Sequence, residues 1–176
     1  ILEDEPDNVE SNFALGMHIP KRWDKILDIE ECHLMPEIGS QIINYARELA
    51  KELALKPYDQ RLHIGFLRYL VLRFDQNTND LMVNLVTSYE DLDSLIPLVS
   101  KLTNRFPSIT SVVNNINTRK ADVAFGEREI LLHGEPNLNE KLKNLTFQIS
   151  SNSFFQTNSF MAEKLYEVIL DGANLK

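Results

Sequence analysis

One cysteine, Cys32, and six glycines are all that this chain of 176 residues holds of the two residue types that most often mark redox centres and phosphate loops. A single thiol permits no internal disulfide, a usage expected of a reducing compartment such as the cytoplasm. The glycines fall into neither G-x-x-x-x-G-K-[ST] nor G-x-G-x-x-G, so no nucleotide-phosphate cradle is predicted. No G-x-S-x-G elbow and no histidine pair at zinc spacing occurs. His18, His33, His63 and His133 are scattered and read as surface or structural groups. No run of eighteen apolar residues is present, so no membrane-spanning helix is expected. Cations are also scarce, with Lys+Arg 18 against Asp+Glu 26 and a formal net charge of -8. Nucleic-acid binders draw much of their affinity from neutralising phosphates. The balance therefore speaks against this segment gripping RNA or DNA alone, while leaving room for a contribution to a larger surface. From the residues alone, no catalytic centre is predicted.

What remains is ordinary globular material, 43% hydrophobic with a mean hydropathy of -0.24, enough for one medium domain or two small ones. Residues 1–11 are polar and acidic and read as a flexible leader, and a start without Met or a signal pattern reads as a boundary or a cut. Residues 13–19 and 26–29 are predicted as short strands. Ile38, Ile42, Tyr45, Ala46, Leu49 and Leu53 fall at helical spacing over 36–55, with Pro36 suited to the first turn and Pro57 enforcing the stop. Two β-rich runs, 67–74 and 81–87, flank a hairpin composition at 75–80. A second amphipathic helix carries Leu92, Leu95, Ile96, Val99 and Leu102, with Pro97 disturbing its first turn, and 109–116 is the next strand. Residues 24–117 thus read as β-α-β-β-α-β, the order of a ferredoxin-like sandwich in the α+β class. Two extra C-terminal strands follow, at 129–133 and 145–149, with a Gly/Pro/Asn-rich turn between. A terminal helix from about Asn158 to Asp171–Gly172 is expected to pack through Met161, Leu165, Val168 and Ile169. The division expected is a leader over 1–11, a central α+β domain over 12–150, and a motif loop with its helix over 151–176.

Few side chains invite a chemical reading. Cys32 is either a small buried hydrophobe or a ligand whose partners lie elsewhere. As a nucleophile it is poor, because Glu30 and Glu31 precede it and would raise its pKa. Lys21–Arg22, Arg68, Arg73 and Arg119–Lys120 are the basic spots, pairs too small to mark an RNA track. The best site candidate is "SSNSFFQTNSF", Ser150 to Phe160. Polar donors beside two phenylalanines can read an unpaired base by stacking and edge hydrogen bonds. Equally, Phe154 and Phe155 could anchor the loop in the core while Asn158 caps the helix.

"ISSNSFFQTN", Ile149–Asn158, resembles the Ser-Pro-x-Ser-Phe-Phe-Gln-x-Asn signature of the RNA (uracil-5-)-methyltransferase family. The stretches "ALGMHIPKRWDKILDIEECHL", "GFLRYLVLR", "LMVNLVT" and "SVVNNINTRKADVAFGE" agree with it in order and spacing, so the resemblance covers nearly the whole chain after residue 12. It is closest to the 23S ribosomal-RNA branch. The resemblance implies S-adenosylmethionine as methyl donor, Gln156 as a cofactor contact and Phe154 as an aromatic near the target uracil. It implies that Cys32 is the fourth ligand of an iron–sulfur (4Fe-4S) cluster whose other three cysteines lie upstream in an intact protein. A cluster is therefore not expected in this chain alone. Ser150–Ser151 replaces the usual Ser-Pro, which leaves the loop backbone less constrained.

In the family, the doubly wound catalytic domain with its cysteine nucleophile and general base follows the last helix. The resemblance therefore implies that this chain is a central segment, with no catalytic residue of its own and no activity by itself. The competing expectation is a stand-alone ferredoxin-like interaction module. The two separate on Phe154 and Gln156, which should be solvent-facing in the first case and buried in the second.

Overall fold

The computed structural model describes residues 13–75 and 77–173, so the acidic leader expected over 1–11 lies outside the described residues. A hairpin comes first, β1 (Gly16–His18) paired antiparallel with β2 (Ile26–Asp28). Helix α1 (Glu37–Glu52) follows, with Pro36 at its N-cap at φ -57°, a torsion already set for helix entry. Strands β3 (Leu67–Phe74) and β4 (Leu81–Thr87) form an antiparallel pair. Helix α2 (Leu92–Arg105) is capped by the Asp91 carboxylate, which accepts the Ser94 N–H at 3.1 Å. It returns the chain to β5 (Ser111–Ile116), parallel to β4, as a crossover helix requires. Then come β6 (Arg128–Gly134), the hairpin β7 (Leu138–Leu142) and β8 (Leu145–Ile149), and α3 (Ser159–Ala173).

The central sheet has the order β3-β4-β5-β6. Side chains alternate across it. One face packs against α1 and α2: Leu81, Val83, Leu85 and Val112 meet Ile42, Leu49, Leu95, Leu98 and Leu102, all at most 4% exposed. The other face carries Met82 and Val113, which meet Leu138 and Ile149 of the β7–β8 hairpin. The hairpin is gripped by the β3–β4 turn. Asp80 accepts the Asn139 N–H at 2.9 Å, the Thr78 hydroxyl donates to the Asn139 carbonyl at 2.8 Å, and Asp75 accepts the Lys141 N–H at 3.3 Å.

The α+β class and the element order expected over 24–117 are present, but one strand has a different partner. β2 does not join the sheet. Its three residues are all exposed and pair only with β1. The fourth place belongs to β6, six of whose seven residues pair along β5, while Leu132, passed over at a register shift, sits against the helices' core. A three-residue strand has too few ladder bonds to compete. The expected turn between the last two strands is instead β7, where Leu138, Glu140 and Leu142 point inward.

Candidate functional site

The loop from Ser150 to Asn158 leaves β8 and crosses the helix-free face of the sheet before entering α3. Three strands hold it. From β3, Arg73 Nη2 donates to the carbonyls of Ser151 at 3.2 Å and Ser153 at 2.7 Å. Burial pulls the Arg73 pKa down, though a guanidinium stays charged at neutral pH. From β5, the fully buried Asn115 donates through Nδ2 to Ser151 Oγ at 3.1 Å and Asn152 Oδ1 at 2.6 Å. Its Oδ1 accepts the Gly126 N–H at 2.8 Å. From β6, Glu129 Oε1 accepts the Ser151 hydroxyl at 2.6 Å. Gly126 passes so close that a Cβ there would lie 2.0 Å from the Ile116 carbonyl oxygen; only glycine lets its N–H reach Asn115.

With its backbone held, the loop splits its two phenylalanines. Phe155 turns inward against Met82, Val113, Leu138 and Ile149, its ring 5.6 Å from that of Phe147. Phe154 turns outward and is 86% exposed, and Gln156 is exposed beside it. Asn158 caps α3, its Oδ1 accepting the Met161 N–H at 3.0 Å. Ser159 donates to Glu140 on β7. Glu140 is only 6% exposed, and burial raises its pKa; the Ser159 hydroxyl works against that rise and the neighbouring Asp75 charge adds to it.

One packing expectation fails here. Met161, Leu165, Val168 and Ile169 are each more than half exposed, and Phe160 beside them is 65% exposed. Ala162 is the one buried residue of α3 among the described residues. The helix leans on β7 through its N-terminus and through the Lys143–Glu167 pair at its flank. Its apolar stripe therefore faces away from the sheet.

Two of the basic spots turn out to be structural. Arg68 lies 4.4 Å from the Tyr58 ring and donates to the carbonyls of Asn117 at 2.9 Å and Ala121 at 2.7 Å, while Arg119 pairs with Glu127 at 2.8 Å. Arg73, Asn115 and Glu129 were not predicted as site residues. They stand 22 to 80 positions from the loop residues they hold, and only the sheet register joins them.

Cys32 is partly exposed on the segment before α1, its N–H bonded to Ser40 Oγ at 3.0 Å. It lines an open groove of about 450 Å³ with Glu30, Glu31, His33 and Ser40 among its walls. A cubane cluster needs four thiolates, and this chain has one. Among the described residues, no group of three or more His, Cys, Asp or Glu side chains could hold a metal. The residues of this chain alone do not fit such a cluster.

No family model matches the chain. Over 175 residues it is 39% identical to an uncharacterized RNA methyltransferase of Chlorobaculum tepidum, covering 97% of this chain and 36% of that protein. Over 184 residues it is 35% identical to another, from Porphyromonas gingivalis, covering 99% and 39%. Over nearly its whole length the chain is homologous to a segment of proteins named RNA methyltransferases. It spans little more than a third of the length of these relatives. Among solved structures, it is similar to the tRNA (uracil-54, C5)-methyltransferase of Pyrococcus abyssi in complex with S-adenosyl-L-homocysteine. That likeness has a TM-score of 0.72 and 32% identity, and covers 89% of this chain and 37% of that one. Among the described residues, no helix is long and apolar enough to cross a membrane.

Proposed function

We propose that this chain supplies one wall of the active site of an S-adenosylmethionine-dependent RNA (uracil-5-)-methyltransferase. The observation that carries the reading is the split of the motif loop: it is pinned from three strands, through two of its carbonyls and the side chains of Ser151 and Asn152, while Phe154 and Gln156 are left facing solvent. A stand-alone module would use the two aromatics as core. Holding a loop this firmly while exposing a ring and an amide suits a surface that meets a ligand.

In this reading the Gln156 amide hydrogen-bonds the methyl donor and the Phe154 ring lies against the target uracil. Carbon-5 of uracil is too weak a nucleophile to take a methyl group unaided. A thiolate from outside this chain adds to C6 and places the electron pair at C5. C5 displaces the methyl from sulfur, leaving S-adenosylhomocysteine. A base removes the C5 proton, and the thiolate leaves as the ring regains its double bond. None of the covalent steps falls to residues 1–176, and Cys32 takes no part in them. We put forward 23S ribosomal RNA as substrate and the cytoplasm as the compartment. The Pyrococcus relative is named for tRNA, so the test carries both.

The test is methyl transfer by the complete coding sequence onto 23S ribosomal RNA and tRNA, followed by detection of 5-methyluridine. Gln156→Ala should raise the KM for S-adenosylmethionine by roughly tenfold or more, the scale of a lost hydrogen bond to a charged ligand. Phe154→Ala should act on the RNA side and leave that KM unchanged. Absence of 5-methyluridine from both RNAs would overturn the reading.

A further inference from the structure

Asn115 is fully buried on the face of the sheet that carries the motif loop, and its side-chain amide bonds to residues on either side of it. One end of that amide is set by the backbone. The Gly126 N–H can only donate, so the atom it meets at 2.8 Å is the oxygen Oδ1. The nitrogen is thereby turned toward the motif loop, where it reaches Ser151 Oγ at 3.1 Å and Asn152 Oδ1 at 2.6 Å. An amide NH2 can only donate. The Ser151 hydroxyl therefore accepts from Asn115 and sends its own proton to Glu129 Oε1, 2.6 Å away. Glu129 stands directly across the β5–β6 ladder from Asn115. The bonds from Gly126 through Asn115 and Ser151 to Glu129 thus run in a single direction.

We propose that Asn115 is a positioning residue for methyl transfer: by fixing Ser151 and Asn152 it sets where Phe154 and Gln156 meet base and methyl donor. The proposal rests on the RNA (uracil-5-)-methyltransferase reading. Phe154 and Gln156 are both exposed, and an exposed ring and amide do little to hold their own backbone. Their placement comes from the residues behind them, and Asn152 lies only two positions before Phe154 and four before Gln156. A binding group displaced by ~1 Å loses much of its effect. A purely structural role for Asn115 predicts something else: fewer folded molecules, hence a lower apparent kcat with every KM unchanged.

The test uses the protein of the complete coding sequence, assayed for 5-methyluridine in 23S ribosomal RNA and tRNA. Asn115→Ala should raise the KM for S-adenosylmethionine and the KM for RNA together, each by roughly three- to tenfold, the scale of one or two lost hydrogen bonds. Gln156→Ala moves the first alone, and Phe154→Ala leaves the first unchanged. In a Gln156→Ala background, Asn115→Ala should add little to the KM for S-adenosylmethionine, because residues that act through one group are not additive. Asn152→Ala removes an exposed acceptor on the loop and leaves the Gly126 bond in place. It should move the same constants in the same direction by less, and it carries the test if Asn115→Ala folds poorly. Leu102→Ala, on the opposite face of the sheet, should lose stability while both KM values stay at those of the parent.

A fall in kcat with both KM values unchanged, in Asn115→Ala and Asn152→Ala alike, overturns the positioning role and leaves the methyltransferase reading intact. Full additivity of Asn115→Ala and Gln156→Ala in the KM for S-adenosylmethionine overturns it as well. A parent enzyme that forms no 5-methyluridine in either RNA overturns the broader reading and this proposal with it.

Discussion

On the face of the sheet that meets α1 and α2, the strands turn in Leu81, Val83, Leu85 and Val112, interrupted near one end by Asn114. On the opposite face the same strands turn in Arg73, Asn84, Ser111 and Asn115 among Met82 and Val113. One face is an oil-filled joint whose energy comes from area removed from water. The other carries buried polar groups, which are costly unless paired, and Arg73 and Asn115 are paired to the motif loop. The contrast separates what keeps the domain folded from what keeps the loop in place. Leu102, fully buried on the inner side of α2, is where the first of these can be broken. Leu102→Ala should cost ~2–5 kcal/mol of global stability, read as a lower urea midpoint, with amide exchange faster across the whole domain. A loss below ~1 kcal/mol would mean that the helix face is not the main source of stability.

The second perturbation belongs to the loop face. Asn115→Ala removes two donors and one acceptor at once and leaves the Gly126 N–H without its partner. Its expected cost is ~1–3 kcal/mol, the price of unsatisfied buried groups. The more telling readout is where exchange quickens: the amides of 151–158 should speed up well before those of α1 and α2. Uniform acceleration, as for Leu102→Ala, would dissolve the distinction between the faces.

The same contrast explains what could be read from the chain in advance. Helix α1 carries apolar residues at its own period, and β3 and β4 are runs of β-forming residues on either side of a turn composition, so their bounds were legible within a few residues. The β7 strand was not, because Leu-Asn-Glu-Lys-Leu hides an inward Glu140 whose partner, Ser159, lies on α3. The outward Phe154 and inward Phe155 were distinguishable only by the family resemblance; alternation alone would have allowed either. The stripe on α3 shows a limit of periodicity, which says that a helix has an apolar face but not what that face meets. The clamp of Arg73, Asn115 and Glu129 could not be read at all. Contacts across three strands are set by register, and register emerges only when the sheet has formed.

Asn84 sharpens the comparison from another side. It is fully buried on the loop face, and neither its Nδ2 nor its Oδ1 has a hydrogen-bond partner among the described residues. Both neighbours across the sheet, Val71 and Val113, are apolar. Asn84→Leu, which keeps the branched shape of the side chain, should therefore raise stability by up to ~2 kcal/mol by removing a desolvated amide. A loss of stability would show instead that the amide is satisfied by an ordered water, and that the polar character of this face extends to its centre.

The smallest effect tests the hinge between the loop face and α3. Burial raises the Glu140 pKa, with the Asp75 charge adding to the rise against the Ser159 hydroxyl. Asp75 differs: burial also opposes its ionisation, but the amide donors of Asn77, Thr78 and Lys141 outweigh it and hold its pKa low. A carboxyl whose folded pKa is raised favours folding fully below its unfolded pKa, and that contribution fades as pH rises through the folded value. At neutral pH the ionised Glu140 is thus a penalty, and Glu140→Gln should be more stable than the parent chain. The gap should close as pH falls through the carboxylate range, because glutamine imitates the protonated acid. Melting temperatures of the two chains across that range decide it. A glutamine variant less stable at neutral pH would mean that the charge on Glu140 anchors α3 through Ser159, and that the helix is held by the acceptor strength of that carboxylate.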